Sequence, residues 1–296
     1  MVLFLFPAVA AAYVNLQYPS SAGVGKPFAI RLTSPEVLEE VSVEWQGRTV
    51  PLEISQWNGK YIALGLFGSS VAKTKPGNHT MNLRLKTPGG TTERSVSIRL
   101  RSIKYKEDHL TLPEKMVTPP AEVLAKIALD RKATSKALAT QTLSRKWGLP
   151  LQRPVNGIVT SPYGRRRILN GKPRNSHGGI DYRAAVGTPV AAALPGRVLL
   201  TGDHYYAGKS VYVDSGGGVI SHYFHLNSIS VKEGDPIATG QKIGESGMTG
   251  RATGPHLHFG LSLSGQMVDP EPLYSLTIAE LLDQGVFLRI ETKGGE

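Results

Sequence analysis

From residue 13 to 103, apolar and polar positions alternate in short runs broken by turn residues. "KPFAIRLTS", "VSVEWQG", "KYIALGLFG" and "TMNLRLKTPGGTTERSVSIRLRS" each place every second side chain on one face, the period of a half-buried strand. The last run holds Thr-Pro-Gly-Gly between two alternating segments, which predicts a hairpin. Strands at this spacing predict a small β-sandwich-like domain over 13–103. The pattern then changes over 104–153. "TPPAEVLAKIALDRKATSKALATQTLSRKWGLP" opens on a proline pair and closes at Gly148 and Pro150. Within it Val123, Leu124, Ile127, Leu138 and Leu143 recur at helical intervals, predicting one or two basic helices that link two domains. From 154 to 274 the β pattern returns in "GIVTSPYG", "TPVAAALPGRVLLTG", "SVYVDSGGGVISHYFHL" and "PHLHFGLSLSG". Residues 275–296 are left as a C-terminal extension. The chain is therefore expected to be mainly β, in two domains joined by a helical linker.

Composition narrows the chemistry. At 296 residues the chain can bury two cores, and its Gly 33 and Pro 20 suit turn-rich strands better than a helical bundle. The absence of cysteine excludes disulfides, thiolate metal sites and cysteine nucleophiles. A net charge of +11 predicts attraction to polyanions, an acidic wall polymer or anionic lipid among them. Nucleic acid is not favoured, because the basic helical stretch carries no turn-helix or aromatic motif. Residues 2–12, "VLFLFPAVAAA", form an apolar run of signal-peptide length, with Ala-Val-Ala at 8–10 as a cleavage site. No Lys or Arg precedes the run, and it is too short to span a bilayer as a helix. Residues 1–12 thus read as the remnant of a signal peptide on an exported protein of the periplasm or cell envelope.

The eight histidines carry the candidate chemistry. On a strand, His256 and His258 project from the same face, about 7 Å apart, while Leu257 and Phe259 face a core. In "NSHGGIDYRA", His177 and Asp181 would sit roughly 13 Å apart on a flat strand, too far for one metal ion. Gly178 and Gly179 argue against a helix, so a bend there is expected, with His177 on a loop and Asp181 at the start of a strand. In "SHYFHL", His222 and His225 are three apart and would face opposite sides, so only one reaches a common site; spacing does not choose. These clusters offer a carboxylate and imidazoles without thiolate, which suits a catalytic zinc held by three protein ligands with one position open. His79 in a turn, His109 in a charged stretch and His204 in "TGDHYYAGKS" are expected at the surface.

"HGGID", "YFHL" and "GPHLHF", in that order, resemble the LytM/lysostaphin-type zinc metallopeptidases that cut peptidoglycan cross-bridge peptides. "SPYGRR", "GTPVAAALPGRV", "GKSVYVDSGGG" and "VDPEPL" agree, and the resemblance covers about 154–273. It implies an antiparallel-β peptidase domain with one zinc ion bound by His177, Asp181 and His258, assisted by His225 and His256 as catalytic histidines. It further implies peptidoglycan as the substrate. None of these five positions departs from the family pattern, which argues against the family's inactive members that activate other wall hydrolases. The preceding domain is expected to cover the groove until displaced, with the basic loop 165–176 lining it.

Overall fold

The computed structural model describes residues 12–111, 118–173, 175–283 and 285–292. The apolar run read as an export signal lies, but for its last residue, outside the described residues. Among these, no helix is long and apolar enough to cross a membrane.

Two five-stranded sheets build the N-terminal sandwich. One runs Val286–Glu291, Tyr13–Tyr18, Phe28–Ser34, Lys60–Phe67, Ile54–Trp57. The other runs Ser21–Gly23, Gly90–Arg101, Gly77–Thr87, Glu40–Trp45, Arg48–Leu52. Alternation explains their packing. Ile30 and Leu32 from the first sheet meet Val43, Leu83 and Ile98 from the second in one buried core. Trp45 is buried in the same core and donates its indole N–H to the Gly68 carbonyl at 2.6 Å. The Thr-Pro-Gly-Gly turn closes a long hairpin in which Thr87 pairs with Gly90.

Two features go beyond the sequence pattern. The linker holds one α-helix, Leu124–Leu138, preceded by a single 3-10 turn. Its apolar residues form no continuous stripe: only Ala137 is buried, and Leu143 lies beyond the helix. Polar contacts hold it instead, Asp130 accepting from the Tyr205 N–H at 2.7 Å and Lys126 donating to the Asp203 carbonyl. The C-terminal extension also has a structural place. Its strand Val286–Glu291 pairs antiparallel with Tyr13–Tyr18 and buries Ile290 in the sandwich core.

The second half is built on an antiparallel sheet ordered Val159–Ser161, Ile180–Arg183, His256–Leu263, Val219–Ile229, Gly208–Asp214, Gly196–His204, Pro236–Ile237. Its strands read differently on their two faces. Ile180, Tyr182, Tyr223, Leu257 and Phe259 enter one apolar core. Asp181, His222, Phe224, His256 and His258 belong to the opposite face. A third apolar cluster, including Ala29, Leu66, Leu261 and Val268, joins this half to the sandwich. Beside it Lys26 reaches the buried Asp269 at 2.5 Å, and the Tyr163 hydroxyl donates to the Met267 carbonyl at 2.6 Å.

Removing residues 285–296 should therefore weaken the sandwich rather than the sheet that bears the histidines. Losing the buried Ile290 alone costs about 1.5–3 kcal/mol and bares the edge of Tyr13–Tyr18. A thermal melt should show the truncated protein unfolding several degrees below the full chain; an unchanged melting temperature would contradict this packing.

Candidate metal centre

The register of two strands assembles most of the site. Asp181 stands directly opposite His258, and Arg183 opposite His256. Cross-strand neighbours on one face have Cβ atoms about 5 Å apart, so the carboxylate and both imidazoles meet without any loop having to fold over. His177 arrives from outside the sheet. It lies in an irregular segment before Ile180–Arg183, pinned by two backbone bonds: its N–H donates to the Arg165 carbonyl at 2.8 Å, and its carbonyl accepts from the Gly164 N–H at 2.9 Å. The bend at Gly178–Gly179 returns its side chain over the strand, as the spacing argument requires.

The three donor atoms form a tight triangle. His177 Nε2 lies 2.9 Å from Asp181 Oδ1 and 3.0 Å from His258 Nδ1, and His258 Nδ1 lies 2.8 Å from Asp181 Oδ1. All three residues are buried. His177 Nδ1 faces the Pro162 carbonyl at 3.0 Å. A carbonyl can only accept, so Nδ1 carries the proton and Nε2 presents a lone pair. That lone pair therefore points at a carboxylate oxygen and at the second imidazole. Such a meeting of acceptors is stable only with a proton or a cation between them. A tetrahedral ion with bonds of about 2.0–2.1 Å wants ligand–ligand edges of roughly 3.3 Å; small outward shifts of the side chains reach that. The donor set, two imidazoles and one carboxylate, fits a borderline divalent ion such as zinc. Burial opposes the charge on Asp181, but positive charge on the side of His177 and His258, supplied by a proton or a cation between the groups, outweighs it and holds its carboxyl well below the usual range.

Close packing leaves no room for side chains at two glycines. A Cβ on Gly179 would stand 2.3 Å from the Phe259 carbonyl oxygen and 2.8 Å from His258 Nε2. A Cβ on Gly260 would stand 1.9 Å from His222 Nε2. Both glycines are needed for approach rather than for an unusual backbone angle.

His256 and His225 flank the triangle. His256 Nδ1 donates to the Gly254 carbonyl at 2.8 Å, leaving Nε2 as its lone-pair atom, 3.9 Å from Asp181 Oδ1. His225 Nδ1 likewise donates to the Thr249 carbonyl at 2.8 Å. The two rings lie 4.6 Å apart. Burial, then the neighbouring His258 and His256, push His225 down to about 3, so its imidazole is neutral at physiological pH.

Three of the sequence expectations require correction. His222 and His225 do not face opposite sides: both rings lie 6.1 Å from that of His258. His225 adopts a left-handed backbone conformation, φ 61, and the register against Gly208–Asp214 slips by one residue there. This bulge turns His225 onto the polar face that His222 already occupies. His222 is buried in a stack with Tyr212 and Phe224, where desolvation holds its pKa well below the ordinary value. His204 is not a surface residue; it is buried against Ser210, Nδ1 to Oγ 2.7 Å, and away from the triangle. His79 sits within the strand Gly77–Thr87 rather than in a turn, half-buried beside Gln46, whereas His109 is exposed as expected. The bulge is the feature that sequence reading missed, because "SHYFHL" shows no glycine or proline to mark it.

Comparison with known proteins places this arrangement. Residues 175–270 match peptidase family M23. Peptidoglycan DD-endopeptidase ShyA of Vibrio cholerae is 44% identical over 93 residues, which is 31% of this chain and 22% of that protein. DD-carboxypeptidase/endopeptidase Mpg of Neisseria meningitidis is 37% identical over 130 residues, 44% of this chain and 30% of that one. The chain thus matches less than a third of the length of either relative. A crystal structure from Pseudomonas aeruginosa, classed as peptidase M23, is 30% identical and superposes with a TM-score of 0.60, covering 79% of this chain and 87% of that one.

Gly179→Ala should keep the sandwich folded yet separate His258 from its partners. Metal analysis after saturation with zinc should find well under one equivalent in this variant, beside circular dichroism like that of the parent. Full zinc content would refute the close-approach argument. Taken with the buried triangle, the matched residues and the matched fold establish that this chain belongs to peptidase family M23.

Proposed function

We propose that the protein is a zinc-dependent endopeptidase that hydrolyses peptide cross-links of bacterial peptidoglycan. The observation that carries this reading is the convergence of His177 Nε2, Asp181 Oδ1 and His258 Nδ1 at hydrogen-bond distances in a buried site. These three residues would hold one zinc ion, which when bound would supply Lewis acidity and lower the pKa of water towards ~7. His225 and His256 do the proton work. Each has its Nδ1 proton committed to a backbone carbonyl, so each keeps Nε2 to accept a proton from the attacking water. Once protonated, the pair stabilises the developing oxyanion and returns the proton to the leaving amine. The backbone anchors matter because they fix the tautomer: an imidazole without them could carry its proton on Nε2 and offer the water an N–H in place of a lone pair.

The activities for which ShyA and Mpg are named, and the net charge of +11, support a peptidoglycan substrate, an anionic wall polymer. Hydrolysis of the wall in turn implies an exported protein of the periplasm or envelope. The strand Glu107–Leu110 runs parallel to Arg166–Leu169, inside the basic loop that leads to His177. This pairing supports control of access to the groove by the segment joining sandwich and helix. An inactive wall-binding protein or activator is disfavoured by the complete set of five side chains.

The test is digestion of purified peptidoglycan, with fragments identified by mass. The parent protein should release cross-link fragments, stop with chelator and recover with zinc. His177→Ala should lose both zinc and activity, whereas His256→Ala should keep zinc and lose at least 100-fold in turnover. A fully active His256→Ala protein, or chelator-insensitive cleavage, would overturn the mechanism.

A further inference from the structure

Arg183 lies on the same face as Asp181, two residues further along the strand and directly opposite His256. It is exposed, and among the described residues no carboxylate or aromatic ring engages its guanidinium. Its backbone, in contrast, is tightly held: its N–H donates to the Ile158 carbonyl at 2.9 Å, and Gly157 packs against its carbonyl. A fixed Cα thus carries a charged arm with no intramolecular task, beside the reacting groups. Apolar side chains stand close by in sequence and register. Ile158, 61% exposed, adjoins on one side; Met248, 50% exposed, follows Gly247, which bridges to His256.

We propose that Arg183 forms a carboxylate subsite, so that the site selects peptides with a free α-carboxylate on the residue that bears the leaving nitrogen. Distance supports this. Arg183 stands directly across from His256, with Cβ atoms about 5 Å apart, and about 7 Å along its strand from Asp181, a span that an arginine arm bridges. Chemistry supports it too: the free main-chain carboxylate nearest to a scissile amide can only lie on the leaving side. Guanidinium matches a carboxylate through two parallel hydrogen bonds, while Ile158 and Met248 suit a small apolar side chain such as that of alanine. The inference rests on the proposed peptidase reading, but the subsite itself binds a carboxylate and can be tested without turnover.

The probes are N-acetyl-D-alanyl-D-alanine and its C-terminal amide, measured by calorimetry on zinc-loaded full-length protein and, in parallel, as substrates. The parent should bind the acid at least 10-fold better than the amide. Arg183→Ala should reduce that preference to within about 2-fold with unchanged zinc content, and Arg183→Lys should restore part of it; a charge-assisted pair worth ~1.5–3 kcal/mol gives this scale. Comparing the preference between variants cancels any direct contact of the carboxylate with zinc. An acid preference that survives Arg183→Ala, equal weakening of both probes, or no preference in the parent would overturn the subsite. Binding preference with cleavage of neither probe would uphold it, and the peptidase reading would stand or fall separately on the peptidoglycan digestion.

Discussion

The structure turns on an unfavourable meeting: a carboxylate oxygen and an imidazole lone pair held about 3 Å apart, out of water, with a second imidazole closing the triangle. Isolated, a buried carboxylate costs several kcal/mol. Stacked acceptors add to that cost. A divalent cation reverses the sign of each contact, and the surrounding backbone is arranged so that the side chains have nowhere else to go. The strand register sets Asp181 against His258. The bonds from Gly164 and to Arg165 set His177. Gly179 and Gly260 let imidazole rings lie against the backbone.

The same sheet divides labour between its faces. Ile180, Tyr182, Leu257 and Phe259 anchor the strands in a rigid apolar core, so the alternate side chains on the other face are placed to within the tolerance that proton transfer demands. Around the triangle, His225 and His256 are oriented by carbonyls of the loop 247–255. Burial keeps His225 neutral. The chemistry proposed for the site therefore depends on packing several residues away from it, and the sandwich contributes through Ala29, Leu66 and Lys26, which meet Val268 and Asp269 at the junction of the two halves.

Much of this was legible in the sequence, and the exceptions share a cause. Alternation in "PHLHFGL" placed His256 and His258 on one face, and the paired glycines forced the bend that unites His177 with Asp181. Both signals are local. The bulge at His225 is invisible to alternation because no glycine, asparagine or proline marks it; the left-handed angle is imposed by tertiary contacts, including the bond from its N–H to the Ala207 carbonyl. The strand Val286–Glu291 pairs with a segment at the opposite end of the chain, and nothing within its six residues names that partner. His204 reads as polar and loop-bound, yet strand pairing carries it inward against Ser210. The apolar spacing of the linker suggested more helix than forms, since its leucines find no surface to cover.

The central claim is that His177, Asp181 and His258 share one divalent ion. X-ray absorption at the zinc edge of the loaded protein tests it most directly. The account predicts a first shell of nitrogen and oxygen at about 2.0–2.1 Å with the outer-shell signature of two imidazoles, reduced to one in His258→Ala. A spectrum lacking imidazole scattering, or one unchanged by that substitution, would place the ion elsewhere and contradict the account.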